Sequence, residues 1–232
     1  PQEMRLSLFI SLEGGEGSGK STQAEALKIR LEHAGANTIL VREPGSTPLG
    51  DYLRTWLKSE YKGLTPHAEL FMFAAARSAL VLDVIKPALA EPEAIVISDR
   101  FCDSTTAYQG YGRRIPLDDI EVVNRIASCG LVPDLTILLD CPPSEGLRRV
   151  LSIRSQCFPS QMDGTMRFEH EELDFHERVR QGYHELVERE PERWHVVDAS
   201  QTVERVGELV WERIEAMTGP VRTPVPCTVQ QA

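Results

Sequence analysis

The chain has 232 residues, 41% of them hydrophobic, with 25 basic and 35 acidic side chains and a formal net charge of −10. That length accommodates one α/β domain, or at most two small ones, with ample material for a buried core. The acidic balance argues against a nucleic-acid polymer as partner, because such proteins present a basic face, whereas a small anionic ligand needs only a local cluster of arginines.

Residues 6–12 form an apolar run that predicts a buried strand, and 21–34 predict its helix, ended by Gly35. Between them lies GGEGSGKST. Gly14, four residues, Gly19, Lys20 and Ser21 have the G-x-x-x-x-G-K-[ST] spacing of a phosphate-binding loop. Glycines let the backbone turn so that N–H groups converge on phosphate oxygens. Lys20 adds a point charge for the β- and γ-phosphates, and the Ser21 hydroxyl suits Mg²⁺. The helix that follows points its positive N-terminal end at the same anion. Strand, loop and helix in this order predict binding of a nucleoside triphosphate.

Thr38–Val41 is a second short strand, leading into Arg42, Glu43, Pro44, Gly45, Ser46 and Thr47, where Pro44 and Gly45 force a loop. Leu49–Lys58 reads as helical. His67–Leu89 carries a long helical pattern interrupted only by Pro87. Ala94–Ile97 is a third strand, uniformly apolar as a central parallel strand should be, and it ends in Ser98, Asp99 and Arg100. Leu117–Ala127 is a helix, Leu135–Leu139 a fourth strand, and Ser144–Ser152 begins another helix. From Ile153 to about Arg167 periodicity is lost, which predicts a mobile loop. Glu171–Glu190 is helical, Trp194–Val197 a fifth strand, and Thr202–Met217 the last helix. The tail from Gly219 has three prolines and no apolar period, and disorder is expected there. No internal repeat appears. Pro1 precedes a methionine at position 4, which suggests that residues 1–3 are an addition.

Strands alternating with helices predict a three-layer α/β fold, a parallel sheet of five strands with helices on both faces. Its ligands belong at the carboxyl ends of the strands. The phosphate loop, the Arg42–Thr47 loop and the Asp99–Arg100 pair all fall there. Asp99 at a strand end suits Mg²⁺, directly or through water. Arg100 beside it suits a second phosphate, with Arg42 and Arg77 able to converge. The chain has neither a D-x-x-G turn nor an N-K-x-D base-reading motif, so a GTPase switch is disfavoured and transfer to a phosphorylated acceptor is the better reading. The cysteines at 102, 129, 141, 157 and 227 include no C-x-x-C pair and read as thiols in a reducing cytosol. No apolar run approaches a membrane span. A soluble, cytoplasmic protein is expected.

GGEGSGKST, VREPGST, LFMFAAAR, SDRFCDSTTAYQG and PDLTILLD occur in the order and approximate spacing of bacterial thymidylate kinases, and the chain resembles that family over roughly residues 6–217. The resemblance implies a phosphate-loop kinase fold with a mobile lid at about 153–170. It implies phosphoryl transfer from ATP to dTMP with Mg²⁺, and usually a homodimer. It assigns ATP to Gly14, Gly15, Glu16, Gly17, Ser18, Gly19, Lys20, Ser21 and Thr22, and the metal to Ser21 and Asp99. It assigns dTMP to Arg42, Glu43, Pro44, Phe73, Arg77, Arg100, Ser104, Thr105, Tyr108 and Gln109. Within that set Phe73 would stack on thymine and Arg77, one helical turn on, would bond the base edge, as an i, i+4 pair shares a helix face. Tyr108 would lie against the deoxyribose, Arg42 and Arg100 would hold the acceptor phosphate, and Glu16 would position the acceptor side or a metal-bound water.

This sequence departs from the family pattern in several places. Thr105 stands where some members carry asparagine, Ser46 replaces the second glycine of REPGGT and should stiffen that turn, and the 153–167 segment looks long. Some members carry a basic residue at the position of Gly17. Its absence here points to an arginine in or beside the 153–167 segment as the catalytic cation: Arg167 first and Arg154 second, with Arg149, on a predicted helix, the remaining candidate. Another nucleoside monophosphate kinase, or a regulatory nucleotide switch, would share the phosphate loop.

Overall fold

The computed structural model describes residues 7–58, 63–157, 168 and 171–218, with side chains except those of 58 and 153–157. The five apolar runs become five parallel strands: β1 (Leu8–Glu13), β2 (Asn37–Arg42), β3 (Ala94–Asp99), β4 (Leu135–Asp140) and β5 (Trp194–Asp198). They form one sheet in the order β2-β3-β1-β4-β5. Phe9 pairs with Val96 across β1 and β3, and Leu12 with Ile137 across β1 and β4. Each strand runs one or two residues beyond its apolar stretch and ends on a charged residue: Glu13, Arg42, Asp99, Asp140 or Asp198. The carboxyl edge of the sheet is therefore a row of charges. It is where the ligand site forms.

Alternation along the strands divides the core into two layers. Ile10, Leu12, Ile95, Ile97, Ile137 and Leu139 meet helices α1 (Lys20–His33) and α9 (Val203–Thr218) on one face. Phe9, Val41 and Val96 meet Leu80, Val81 and Ile85 on the other. There α2 (Pro48–Lys58) packs beside α3 (Pro66–Leu80). Thr65 caps α3, its hydroxyl accepting from Ala68 N at 3.2 Å, and Pro66 occupies the first turn. A π-helical turn, Val81–Ile85, follows directly and leads into α4 (Lys86–Leu89). The wider turn accommodates Pro87, which has no N–H to give, so the long helical pattern continues past its proline.

Two elements differ from the reading of the sequence. After β3 the chain forms α5 (Cys102–Thr105), a π-helical segment Thr106–Gly112, and then the expected α6 (Leu117–Ala127). Neither α5 nor the π-helical segment carries an amphipathic period long enough to detect. The second difference is α7 (Pro143–Cys157), which continues five residues into the stretch expected to be a loop. No proline stands between Pro143 and Pro159, so no missing N–H or ring clash interrupts the helix before Cys157. The remaining helix, α8 (Leu173–Arg189), packs against the π-helical segment and sets Phe175, Val179 and Tyr183 beside Ala107 and Tyr108. Of the segment expected to form a lid, about 153–170, residues 158–167 with Arg167 and 169–170 lie outside the described residues, as do the side chain of Arg154 and the tail 219–232.

Candidate active site

The phosphate loop joins β1 to α1, and its conformation requires glycine at two positions. Gly14 has φ +143°, and a Cβ there would stand 2.5 Å from the carbonyl oxygen of Leu139. Gly17 has φ +68°, and a Cβ would stand 2.0 Å from the Gly146 oxygen at the start of α7. Any side chain at either place would meet backbone. The Lys20 ammonium donates to the carbonyls of Gly14 at 3.0 Å and Gly15 at 2.7 Å, and to the Ser18 hydroxyl at 3.3 Å. Burial, and then the charge of Arg100, lower the Lys20 pKa to about 8.

The loop opens into a cleft of about 340 Å³, within the usual range for a small-molecule site. Glu16, Gly17, Gly19, Lys20, Ser21 and Thr22 line one part of it, and Phe73, Arg77, Thr105, Tyr108 and Gln109 another, with Glu43, Pro44, Asp99, Arg100 and Ser104 also on its wall. Gly14, Gly15 and Ser18 lie behind the wall as the partners of Lys20. Among the described side chains the sequence assignments thus converge, with one exception, while Arg154 and Arg167 are not among them. Arg42 is exposed and faces Asp51 at 3.7 Å instead of lining the cleft. It is the last residue of an edge strand, and the turn that follows leads its side chain outward. In that turn Ser46 has φ +61°, the left-handed conformation that glycine accepts more readily, and its hydroxyl accepts from the Arg42 N–H at 3.0 Å. The replacement for glycine therefore locks the turn.

The place expected for Arg42 is taken by Arg54 of α2, which lines the cleft and donates to the Pro44 carbonyl at 2.9 Å. Burial and the adjacent charge of Arg42 lower its pKa, with Arg100 acting in the same sense. Such crowding of cations suits a dianionic phosphate. An arginine on a surface-type helix has no local signal that marks it as a ligand, so sequence reasoning passed over Arg54.

Arg100 links the loop to the π-helical segment. Its Nη2 donates to Glu16 Oε1 at 2.8 Å and to the Tyr108 hydroxyl at 3.1 Å, and its Nη1 donates to the Gly14 carbonyl at 3.1 Å. Burial opposes the charge of Glu16, but Arg100, Lys20 and the Tyr108 hydroxyl outweigh it and hold its pKa at about 2. Ser21 Oγ donates to Asp99 Oδ2 at 2.6 Å. A hydroxyl and a strand-end carboxylate in contact, both oxygen donors, form a partial ligand set that fits Mg²⁺ completed by phosphate and water oxygens. Among the described residues no cluster of three or more histidine, cysteine or carboxylate side chains offers an all-protein metal site.

Arg77 is 1% exposed and ties together the part of the cleft that it lines. Its Nε and Nη2 donate to Glu43 at 2.8 and 2.5 Å, Nη1 to Asn124 Oδ1 at 3.0 Å, and Nη2 also to the Phe101 carbonyl and the Thr105 hydroxyl, each at 3.0 Å. Burial works against the guanidinium, but Glu43 outweighs it and holds Arg77 above its ordinary range. Burial raises the Glu43 pKa against the pull of Arg77, so that carboxylate depends on the guanidinium for its charge. Gln109 donates to Glu69 Oε1 at 2.8 Å. The Phe73 ring lies 6.3 Å from that of Phe168, leaving an aromatic wall beside Tyr108.

Glu13, which the sequence reading took for the end of an apolar run, is fully buried beneath the loop. Burial and the charge of Asp103 raise its pKa to about 7. The two carboxylates at 13 and 16 are thus driven in opposite directions, and the signs of their pH effects differ. A raised folded-state pKa adds stability that is fully present below the unfolded value of 4.5 and is lost as pH rises through about 7. The stability of the native protein relative to Glu13→Gln is therefore expected to fall by up to about 3 kcal/mol from pH 4.5 to 7.5. Denaturant titrations across that range measure it, and a constant difference would refute it.

The chain is similar to known proteins over most of its length. The thymidylate kinase family model matches residues 12–210. A thymidylate kinase from Chlorobaculum tepidum is 43% identical over 210 residues, covering 90% of this chain and 98% of its own. One from Solidesulfovibrio magneticus is 45% identical over 205 residues, covering 88% and 97%. The crystal structure of thymidylate kinase from Ehrlichia chaffeensis superposes with a TM-score of 0.71 at 32% identity, covering 90% of this chain and 99% of that one. Matched from the strand before the phosphate loop into the last helix, the chain belongs to the thymidylate kinase family.

Proposed function

We propose that this protein transfers the γ-phosphoryl group of ATP to dTMP, giving ADP and dTDP for nucleotide biosynthesis. The observation that carries the reading is one cleft in which a phosphate loop faces an arginine pair, Arg54 and Arg100, and an aromatic–arginine pair, Phe73 and Arg77. A bond from the γ-phosphorus to an acceptor phosphate oxygen forms as the bond to the β-bridging oxygen breaks. Little covalent chemistry falls to the protein, which positions both nucleotides and neutralises the charge on the migrating group. Lys20 and the loop amides serve the donor, and Arg100 and Arg54 the acceptor phosphate. Phe73 stacks on the base, Arg77 reads its edge, and Tyr108 lies against the deoxyribose and disfavours a 2′-hydroxyl. Ser21 and Asp99 would hold Mg²⁺, which supplies Lewis-acid charge on the phosphates. The lid cation is assigned to Arg167, with Arg154 as second choice.

A homodimer fits exposed apolar residues on neighbouring helices, Phe71 on α3 and Val122 and Ile126 on α6. Among the described residues no helix is long and apolar enough to cross a membrane, and a cytoplasmic location suits the substrates.

The test is a coupled assay of ADP release with dTMP, dUMP, dCMP, dGMP and AMP as acceptors. Mg²⁺-dependent turnover fastest with dTMP is expected. Preference for another monophosphate would reassign the base, and slow ADP release indifferent to every acceptor would indicate a switch instead of a kinase.

A further inference from the structure

The reading above gives Glu13 no task, yet Glu13 is the most completely satisfied carboxylate near the site. It is the last residue of β1, one position before the phosphate loop, and no part of it reaches solvent. Its Oε1 accepts from the Phe101 N–H at 2.7 Å and from the Ser11 hydroxyl at 3.0 Å. Its Oε2 accepts from the Ser104 hydroxyl at 2.5 Å and from the Tyr183 hydroxyl at 3.0 Å. Within the described residues no salt bridge to Glu13 is formed. Burying a carboxylate among neutral donors is costly, and an apolar side chain would fill the space at lower cost if packing were the only requirement.

The partners of Glu13 surround Arg100. That residue has φ +75°, a strained conformation for arginine. Its N–H donates to the Leu12 carbonyl at 3.0 Å, and its carbonyl accepts from Ser98 Oγ at 2.6 Å. The next N–H, that of Phe101, is the one Glu13 accepts. On the side-chain side, Arg100 Nη1 donates to Ser104 Oγ at 3.1 Å and approaches the Tyr183 hydroxyl at 3.5 Å. One oxygen of Glu13 therefore fixes the backbone beside Arg100, and the other fixes the two hydroxyls against which the guanidinium rests.

We infer that Glu13 is a positioning residue for phosphoryl transfer, holding Arg100 in its strained conformation through Phe101, Ser104 and Tyr183 so that the guanidinium faces the acceptor phosphate. This rests on the assignment of Arg100 to that phosphate. Because Glu13 directly precedes Gly14, the same residue ties the acceptor arginine to the donor loop, and the two ends of the reaction share one anchor.

Glu13→Gln tests it with little change of volume. An amide presents donors on one side: facing Ser104 and Tyr183 it reverses their hydrogen bonds, and facing Phe101 it sets donor against donor. Measurements are kcat/KM for dTMP, ATP Kd by calorimetry, and thermal unfolding, for Glu13→Gln, Arg100→Ala and the double variant. Glu13→Gln is expected to lower kcat/KM for dTMP about 10- to 100-fold while ATP Kd stays within about twofold, the scale of a misplaced positioning group. In the Arg100→Ala background the same change should cost less than about twofold, since partners acting as a unit are not additive. If Glu13→Gln does not fold, Tyr183→Phe carries the test, with a loss of about 3- to 10-fold in the same pattern. Additive losses, no loss, or an equal loss of ATP affinity would overturn the inference while leaving the phosphate assignment in place. An Arg100→Ala variant with normal kcat/KM for dTMP would overturn both.

Discussion

Lys20→Ala is expected to reduce turnover by at least about 10²- to 10³-fold without unfolding the protein, the cost of losing one preorganised donor to a developing charge. The ammonium lies in the phosphate loop, within 3.0 Å of two of its carbonyls, and no other described lysine lines the cleft. As the migrating phosphoryl group leaves the donor, negative charge spreads over its oxygens, and a point cation there stabilises the transition state more than the bound nucleotide. The loop itself should survive. Gly14 and Gly17 hold their left-handed turns against Leu139 and Gly146, and the Gly14 carbonyl keeps its bond from Arg100. Lys20→Arg should not restore the rate, because a planar guanidinium does not reproduce a compact ammonium. Single-turnover kinetics with circular dichroism as the folding control measure the effect. A near-normal rate in a folded variant would sink the assignment of the donor site.

Arg77→Ala is expected to lower stability by about 3–5 kcal/mol, the penalty for leaving a buried charge without its partner. Removing the guanidinium strands the Glu43 carboxylate, of which 4% is exposed, and leaves Asn124, Thr105 and the Phe101 carbonyl each short of a donor. Structural and ligand roles coincide in this residue, so the alanine variant alone does not separate them. The pair Arg77→Met with Glu43→Leu does, because replacing both charges by apolar groups of similar size recovers much of the loss. That double variant should melt close to the native protein, bind ATP normally, and still bind dTMP about 1–3 kcal/mol more weakly, the scale of a lost charged hydrogen bond. Calorimetric titration of both nucleotides checks it. An equal loss for ATP would place Arg77 on the donor side, and unaltered dTMP affinity would make its role structural.

Reading by apolar runs located all five strands yet stopped short of the carboxyl edge. Leu12, Val41, Ile97, Leu139 and Val197 end the hydrophobic signal, whereas the strands continue to Glu13, Arg42, Asp99, Asp140 and Asp198. Sheet hydrogen bonding does not depend on side-chain polarity, so pairing persists after hydrophobicity has vanished. For the same reason Glu13 went unnoticed as anything but a terminator. Three of its four partners lie 88, 91 and 170 residues further along the chain, at Phe101, Ser104 and Tyr183.

By itself the sequence determined whatever is written in local spacing: the parallel sheet, from uniformly apolar strands alternating with amphipathic helices, and the phosphate site, from glycines and a lysine that must be contiguous to cradle an anion. The resemblance carried by LFMFAAAR assigned Phe73 and Arg77 to the ligand, and both line the cleft. Tertiary structure alone decided which arginines line the cleft. The sequence pointed to Arg42, but the turn locked by Ser46 sends it outward to Asp51, and α2 carries Arg54, which the sequence did not mark, into the cleft. Tertiary structure also decided that Arg77 is a buried ion-pair member and that Glu13 underlies Arg100. These assignments depend on burial and on partners brought together by chain reversal, and a carboxylate or guanidinium acquires its cost and its use only when water is removed from around it.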